Sequence, residues 1–546
     1  MLLWLVLMKR RLVRASLQVC VPPSPSCKLM NMINTDVIII GGGPTGLSLA
    51  CQLIRYGIDF VVVEKNDTVT RFSKAIGVQA RTLEVYEQIG LAQPAIERGT
   101  IASRVRLIEG GEIRGEMNLG NFGKDLSQYP YMLMLEQSRN EELLYEFIRS
   151  HGRDVRWNTE LETFSQDASG VTAQVKTPSG ESETIRAQFL AGCDGASSPV
   201  RHGLGLTFGG STFERLFYVA DARVDWDLPH DALHVCLAKE VFVAFFPMPG
   251  EHRYRVIGTF PESKNEEEGE VVYEEIEREI KEQAKLKLEM SDVRWFSLYK
   301  VHSRRVNKFS EGRCFLAGDS AHIHSPAGAQ GMNTGIQDAY NLAWKLALAV
   351  KGIARQELLD TYNEERLANA QRLLESTDRM FELAAGSNWL MSLLRTTIFP
   401  PVAGFVASLE SVSKRIFPVI SQIGINYRKA SLSEHTDDES DDVKAGDRLP
   451  YFVIDDDSVF EKLKEPKFHL LLFSNSERRV ECEEFARKFG NLADCHVIPI
   501  TERVNEIFER EDEFSVFLRP DNHIAFMSSE VPPRIVGEYL QARHIS

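Results

Sequence analysis

The chain has no C-x-x-C pair, no excess of positive charge, and no apolar run approaching the roughly 18 uncharged residues of a membrane-spanning helix. Each absence excludes something. Its 63 Lys and Arg are outnumbered by 78 Asp and Glu, a net charge of −15, which argues against nucleic acid or an anionic membrane as the main partner. Without C-x-x-C, the eight scattered cysteines give neither a dithiol redox motif nor a zinc site; they are expected to be unpaired thiols in a reducing, cytoplasmic compartment. Acidic residues are also missing from the start of the chain. Apolar Met1 to Met8 is followed by Lys9, Arg10, Arg11 and Arg14, and no acid precedes Asp36. A secretory signal has its basic residues before the apolar core, so the order is wrong for export. Residues 1–34 are read as an extension outside the fold, upstream of a start at Met30 or Met32, or as an organellar transit peptide.

What is present is a globular composition, 43% hydrophobic and 26% charged, over 546 residues, enough for two or three domains. Near the start, Asp36-Val-Ile-Ile-Ile runs into Gly41-Gly42-Gly43-Pro44-Thr45-Gly46. The apolar run predicts a buried parallel strand and Pro44 a helix start. Gly41, Gly43 and Gly46 fill G-x-G-x-x-G, which permits a tight turn, close approach to a pyrophosphate and close helix–strand packing. A second strand, Phe60 to Val63, ends at Glu64, about twenty residues on, where a carboxylate can hold a ribose.

Two further stretches have the same form of strand, turn and helix. Phe189-Leu-Ala-Gly-Cys193 leads into Asp194-Gly195 and then Arg201, and Cys314-Phe-Leu-Ala317 leads into Gly318-Asp319. The latter continues through a His-, Pro- and Gly-rich loop to a helix at Gly331-Met332-Asn333. A carboxylate at a strand tip, facing the free N–H groups of a helix, makes a cradle for a polar cofactor. His322 and His324 form H-x-H, which is too little for a metal site, so no metal is expected.

Taken in order, the three motifs resemble the FAD-dependent aromatic hydroxylases, single-component flavoprotein monooxygenases typified by p-hydroxybenzoate and phenol hydroxylases. The resemblance runs from Asp36 to Arg428. It implies an α/β fold: a Rossmann-type FAD-binding domain interleaved with a mixed-sheet substrate domain, then a helical region. It implies FAD as cofactor and NAD(P)H as transient co-substrate. A small aromatic substrate would be hydroxylated with O2 through a flavin C4a-hydroperoxide. By the same resemblance Gly41, Gly43, Thr45 and Gly46 meet the pyrophosphate, and Glu64 and Lys65 the adenosine end. Lys74 and Gln137 contact the flavin, Asp194 serves FAD and NAD(P)H, and Asp319 holds the ribityl chain. Gly331, Met332 and Asn333 present a helix N-terminus to the pyrimidine edge, while Pro326 and Gly328 face the oxygen chemistry. A homodimer is open, and no integral membrane contact is expected, since no uncharged apolar run is long enough to span a membrane.

One departure bears on the substrate. Ionising a simple phenol at neutral pH costs about 4 kcal/mol, since its pKa is about 10. Phenol-hydroxylase-type members place an Asp where Lys74-Ala75-Ile76-Gly77 has Ile76, which cannot take a proton. The segment is more similar to relatives acting on polycyclic substrates. Rival readings are a flavin-dependent reductase of the same fold and a non-catalytic flavin-binding protein; a halogenase is disfavoured, because no tryptophan lies in a Trp-x-Trp-x-Ile-Pro segment.

Between the motifs, Arg104–Ile108, Val171–Lys176, Val241–Phe246 and Tyr254–Phe260 read as strands roofing the flavin, and Glu262–Glu282 as a solvated, mostly helical face. A long helical region follows Gly335, and Trp389–Val406, interrupted by Arg395, Pro400 and Pro401, reads as packed helices. Ser431 to Asp447 is acidic and linker-like, closing a catalytic body at 35–430. Residues 448–546 resemble a thioredoxin-like domain lacking C-x-x-C, its strands near Phe468–Phe473, Cys495–Ile500, Phe514–Leu518 and His523–Met527. Its role is read as structural or oligomeric.

Overall fold

In the computed structural model the described residues are 32–71, 75–119, 123–237, 242–259, 273–324, 329–385, 410–436, 439–440, 442–529 and 534–545. The readings made for Lys74, Pro326, Gly328 and Trp389–Val406 lie outside them, as does most of the N-terminal extension.

A six-stranded sheet sets the frame. Its centre is four parallel strands, β1 (Val37–Ile40), β2 (Phe60–Val63), β3 (Phe189–Gly192) and β4 (Cys314–Leu316), lying side by side in the order β4-β3-β1-β2. β1, β3 and β4 are buried along their whole length, as continuous apolar runs in a covered parallel sheet should be. Because these strands run the same way, the three sequence motifs emerge from one edge. Helix α1 (Pro44–Arg55) follows β1, and α2 (Gln137–Ser150) packs beside it. Helix α3 (Gly331–Val350) lies against α1, and α4 (Glu357–Ala385) against α3. The long helical region expected after Gly335 consists of these two helices, separated between Val350 and Glu357.

The roof is an eight-stranded sheet that includes Arg104–Glu109, Phe208–Asp225, Phe242–Pro247, Arg253–Thr259 and Glu289–Val306. The expected Val171–Lys176 is not part of it: that strand pairs antiparallel with Glu160–Asp167 and Ser182–Ala187 in a separate four-stranded sheet. Alternation divides it into two faces. Tyr218, Tyr254 and Val256 pack against Ile276 and Ile280 of the helix Tyr273–Ala284 on the outer face. On the inner face Asp221 pairs in register with Arg255 and with Trp295.

Three further expectations are corrected. Residues 32–34, assigned to an extension outside the fold, form a strand parallel to Ser182–Ala187. The acidic segment 431–447 is anchored to the fold: Leu432, Val443 and Ala445 are buried, and Arg428 grips Asp447 with two hydrogen bonds of 2.7 Å. Composition showed its charges but not these apolar anchors. Finally, against the expectation of unpaired thiols, Cys482 and Cys495 form a disulfide with a Cα–Cα separation of 5.4 Å, bridging the helix Arg479–Phe489 to the strand Ala493–Ile498. Cys51, Cys193, Cys236 and Cys314 are free and buried.

Candidate active site

At the shared sheet edge the glycines separate into two kinds. A Cβ added to Gly41 would lie 2.2 Å from the Cys193 carbonyl oxygen, and one on Gly46 would lie 2.0 Å from that of Gly41. Both are therefore closed to side chains by the neighbouring strand and turn, and Gly41 has φ +107°, where only glycine is at ease. Gly43 differs: nothing lies within 4 Å of its virtual Cβ, so its backbone faces open space. Thr45 joins two motifs, because its Oγ1 would be 2.5 Å from a Cβ on Gly318 and 2.4 Å from one on Gly335. Small residues on both sides let α1 and α3 approach the same point.

Neither helix start is capped by a side chain: α1 begins after Gly43 with Pro44, and α3 begins after Gln330. The first-turn N–H groups and the positive dipole ends of two packed helices thus remain available to an anion. Glu64 is buried and faces the glycine loop, accepting from the Gly42 N–H at 2.6 Å and from Asn66 through its other oxygen. Lys65 is exposed next to it. Asp194 accepts from the Val200 N–H at 2.9 Å with one oxygen, while its other oxygen is buried with no partner. Burial pushes that carboxyl up despite bonds from Ser198 and Val200. Asp319 is exposed at the strand tip.

The cradle rests on a buried support that the motifs alone did not announce. Asp338 of α3 accepts from the Gly318 N–H at 2.9 Å, from His322 Nε2 at 2.7 Å and from Arg366 Nε of α4 at 2.6 Å. Burial opposes the charge on Asp338, but Arg366 and His322 outweigh it and hold the carboxyl low. His322 is therefore committed to Asp338, and among the described residues no three His, Cys, Asp or Glu converge as a metal site would require.

Gln137 anchors the segment carrying Ile76: its N–H donates to the Ala75 carbonyl at 3.0 Å, its Oε1 accepts from the Ala75 N–H at 3.3 Å, and its Nε2 donates to Glu141 at 2.9 Å. Asn333 turns out to be a stitch. Its side chain accepts from the Gln79 N–H and Thr82 hydroxyl and donates to the Gly77 and Ala329 carbonyls, so only its backbone remains for a ligand. Met332 is half-buried, its sulfur 3.7 Å from Asn140 Nδ2. A Cβ on Gly331 would meet His324 at 3.3 Å, and one on Gly77 would meet Ala329 at 2.7 Å, so Ile76 lies beside the start of α3.

Facing Ile76 is the inner face of the roof. Arg255, fully buried, makes two 2.7 Å bonds to Asp221 and reaches the Ala75 carbonyl at 3.1 Å. Its guanidinium lies 5.4 Å from the Trp295 ring, and burial pushes the nearby Tyr299 hydroxyl up to about 12. Ile76 sits in an apolar cluster with Met132, Met134 and Met248, against which Phe246 packs. The Arg255–Asp221 pair was missed in the sequence, although an arginine inside the apolar strand Tyr254-Arg255-Val256-Ile257 was a visible signal.

The residues present fit a dinucleotide: open backbone at Gly43, two uncapped helix starts, an unpartnered buried oxygen on Asp194 and an exposed Asp319. The comparisons with known proteins agree. Residues 34–377 match the family described as FAD binding domain. The 6-methylpretetramide 4-monooxygenase of Streptomyces rimosus is 31% identical, over 93% of this chain and 94% of its own length. The pentachlorophenol 4-monooxygenase of Sphingobium chlorophenolicum is 32% identical, over 76% and 75%. Among solved structures, an anhydrotetracycline hydroxylase from Streptomyces rimosus superposes with a TM-score of 0.73 at 28% identity, covering 94% of this chain and 99% of that one. The chain belongs to the FAD binding domain family and is a FAD-dependent monooxygenase of the aromatic hydroxylase type.

Proposed function

We propose that the chain hydroxylates a polycyclic, or already acidic, phenolic ring at the expense of NAD(P)H and O2. The overall balance is ring–H + NAD(P)H + H⁺ + O2 → ring–OH + NAD(P)⁺ + H2O. The observation that carries this reading is Ile76, 3% exposed in an apolar cluster opposite the Arg255–Asp221 pair. No proton acceptor stands at the position where phenol-type enzymes of the family use one. A substrate that loses its proton readily needs no such group. Relatives named for 6-methylpretetramide and anhydrotetracycline, both polycyclic, support this substrate class.

Bound FAD supplies the redox chemistry, accepting hydride from NAD(P)H and delivering electrons to O2. The protein supplies binding, orientation and exclusion of water. Gly43, Thr45 and Gly46 at the start of α1 hold the pyrophosphate, with Gly41 setting the turn. Glu64 serves the ribose, with Lys65 beside it, and Asp319 the ribityl chain. The N–H groups of Gly331, Met332 and Asn333 stabilise negative charge on the pyrimidine edge through the dipole of α3. Gln137 fixes the Ala75–Ile76 segment, and Asp194 serves both nucleotides. Met132, Met134 and Phe246 keep the ring dry.

The C-terminal unit is read as thioredoxin-like. Its strand order, Ala493–Ile498, Phe468–Phe473, Phe514–Leu518, Ile524–Ser528, with the first pair parallel and the others antiparallel, supports this. The test of function is a ligand screen: polycyclic phenols and unsubstituted phenol are compared for stimulation of NAD(P)H oxidation, with product and peroxide both measured. Polycyclic or acidic phenols should give hydroxylated product, and efficient hydroxylation of unsubstituted phenol would overturn the substrate assignment.

A further inference from the structure

Behind the FAD cradle, where the C-terminal unit meets α3 and α4, lies a set of fully buried charges. Arg519 binds Glu365 of α4 through both terminal nitrogens and Asp521 through Nε at 3.0 Å. Glu365 also accepts from Lys345 Nζ at 2.7 Å and Asn341 Nδ2 at 2.8 Å, both on α3. Arg519 and Lys345 are 0% exposed and Glu365 and Asp521 1%, and the two cations balance the two carboxylates. The turn between Arg519 and Asn522 touches two elements of the site directly. Tyr340 of α3 donates to the Pro520 carbonyl at 3.4 Å, and Trp344 Nε1 donates to Asp521 at 3.3 Å. Arg81, on the helix Ala80–Glu87 that follows Ile76, donates to the Asp521 carbonyl at 3.0 Å.

A second route runs through Tyr427. Its ring lies 4.5 Å from that of His523 and 5.2 Å from the Arg519 guanidinium. Its hydroxyl accepts from Arg366 at 2.8 Å, and Arg366 holds Asp338, which holds the Gly318 N–H. A surface-docked module does not need paired, desolvated charges reaching into the supports of another domain's ligand site. Such pairs fix geometry strictly, because a displaced partner leaves an uncompensated buried charge.

We infer that the Arg519-Pro520-Asp521-Asn522 turn is a positioning element of the flavin site, setting α3 and the Ala80–Glu87 helix directly and the Gly318–Asp319 turn through Tyr427, Arg366 and Asp338. The C-terminal unit thereby completes the catalytic body. The inference rests on the FAD site described above but not on the choice of substrate.

The test uses the full chain in three variants. Tyr427→Phe removes one hydroxyl from the second route, Asp521→Asn unbalances the quartet, and Val516→Ala lowers the stability of the C-terminal core away from the turn. Amide exchange over residues 314–324 and 75–82 is followed without FAD, and FAD affinity is measured by fluorescence titration. Tyr427→Phe and Asp521→Asn should each speed exchange at the Gly318 amide and weaken FAD binding by about tenfold, the scale of losing a buried, charge-assisted hydrogen bond. Val516→Ala should lower the melting temperature while leaving both readouts unchanged. Unchanged exchange and affinity in Tyr427→Phe, or equal changes in Val516→Ala, would overturn the inference. Failure of the wild type to bind FAD would instead count against the site itself, and the exchange data would still decide the positioning role.

Discussion

Glu141 gives a prediction whose size follows from the structure. It lies on α2, 2% exposed, and accepts from Gln137 Nε2 at 2.9 Å and from the Thr70 N–H at 2.7 Å. Burial pushes its carboxyl from 4.5 up to about 7, against the pull of those two donors. The folded state therefore binds this proton more tightly than the unfolded chain, so the group's stabilising contribution is complete below pH 4.5 and is lost as pH rises through 7. Between pH 5 and pH 8 the loss is about 2.5 kcal/mol, from a separation of about 2.5 pKa units at 1.36 kcal/mol each, less the part outside that window. Glu141→Gln keeps an acceptor and removes the titration. Denaturant unfolding at pH 5, 6, 7 and 8 should show the variant gaining on the wild type by about that amount as pH rises. Parallel stability curves for the two proteins would refute the assignment of a buried, protonated carboxyl next to the Ala75–Ile76 segment.

Other expectations follow from the same contacts. Gly46→Ala places a methyl 2.0 Å from the Gly41 carbonyl and must shift α1, costing about 1–3 kcal/mol and weakening FAD binding; equal affinity by titration would count against the cradle. Reduction of the Cys482–Cys495 bridge, which closes a short loop with a sequence separation of 13, should lower stability by about 3 kcal/mol. Thermal melts with and without reductant, compared with Cys482→Ser, report it. Ile76→Asp puts a carboxyl among Met132, Met134 and Phe246, so it should destabilise the fold by at least about 1 kcal/mol and confer no advantage on the natural substrate. Faster turnover of that substrate by the variant would show that a base was wanted after all.

The parts of this site that could be read from sequence are those made by local chain geometry. A strand, a glycine turn and a helix start are consecutive, so Gly41 to Gly46 and Gly318 to Asp319 announce themselves, and parallel pairing of β1, β3 and β4 brings them to one edge. Side-chain direction was less legible. Asn333 is in the expected helix turn, yet its amide faces Gly77 and Thr82, because that contact joins two segments more than 250 residues apart. The Arg255–Asp221 pair depends on strand register, and the Arg519–Glu365 pair joins residues 154 apart. Neither separation leaves a periodic trace. Cys482 and Cys495 failed for a related reason: the absence of C-x-x-C excludes a redox motif, but it does not keep a helix cysteine from meeting a cysteine on the adjacent strand.

The central claim is that oxygen enters the substrate ring. Turnover under ¹⁸O2 with a polycyclic phenol that stimulates NAD(P)H oxidation measures this directly. One labelled oxygen per product, with about one NAD(P)H consumed for each, is the predicted result. Substrate-stimulated oxidation with unlabelled product, or with all the oxygen recovered as peroxide, would contradict it and leave a reductase of the same fold.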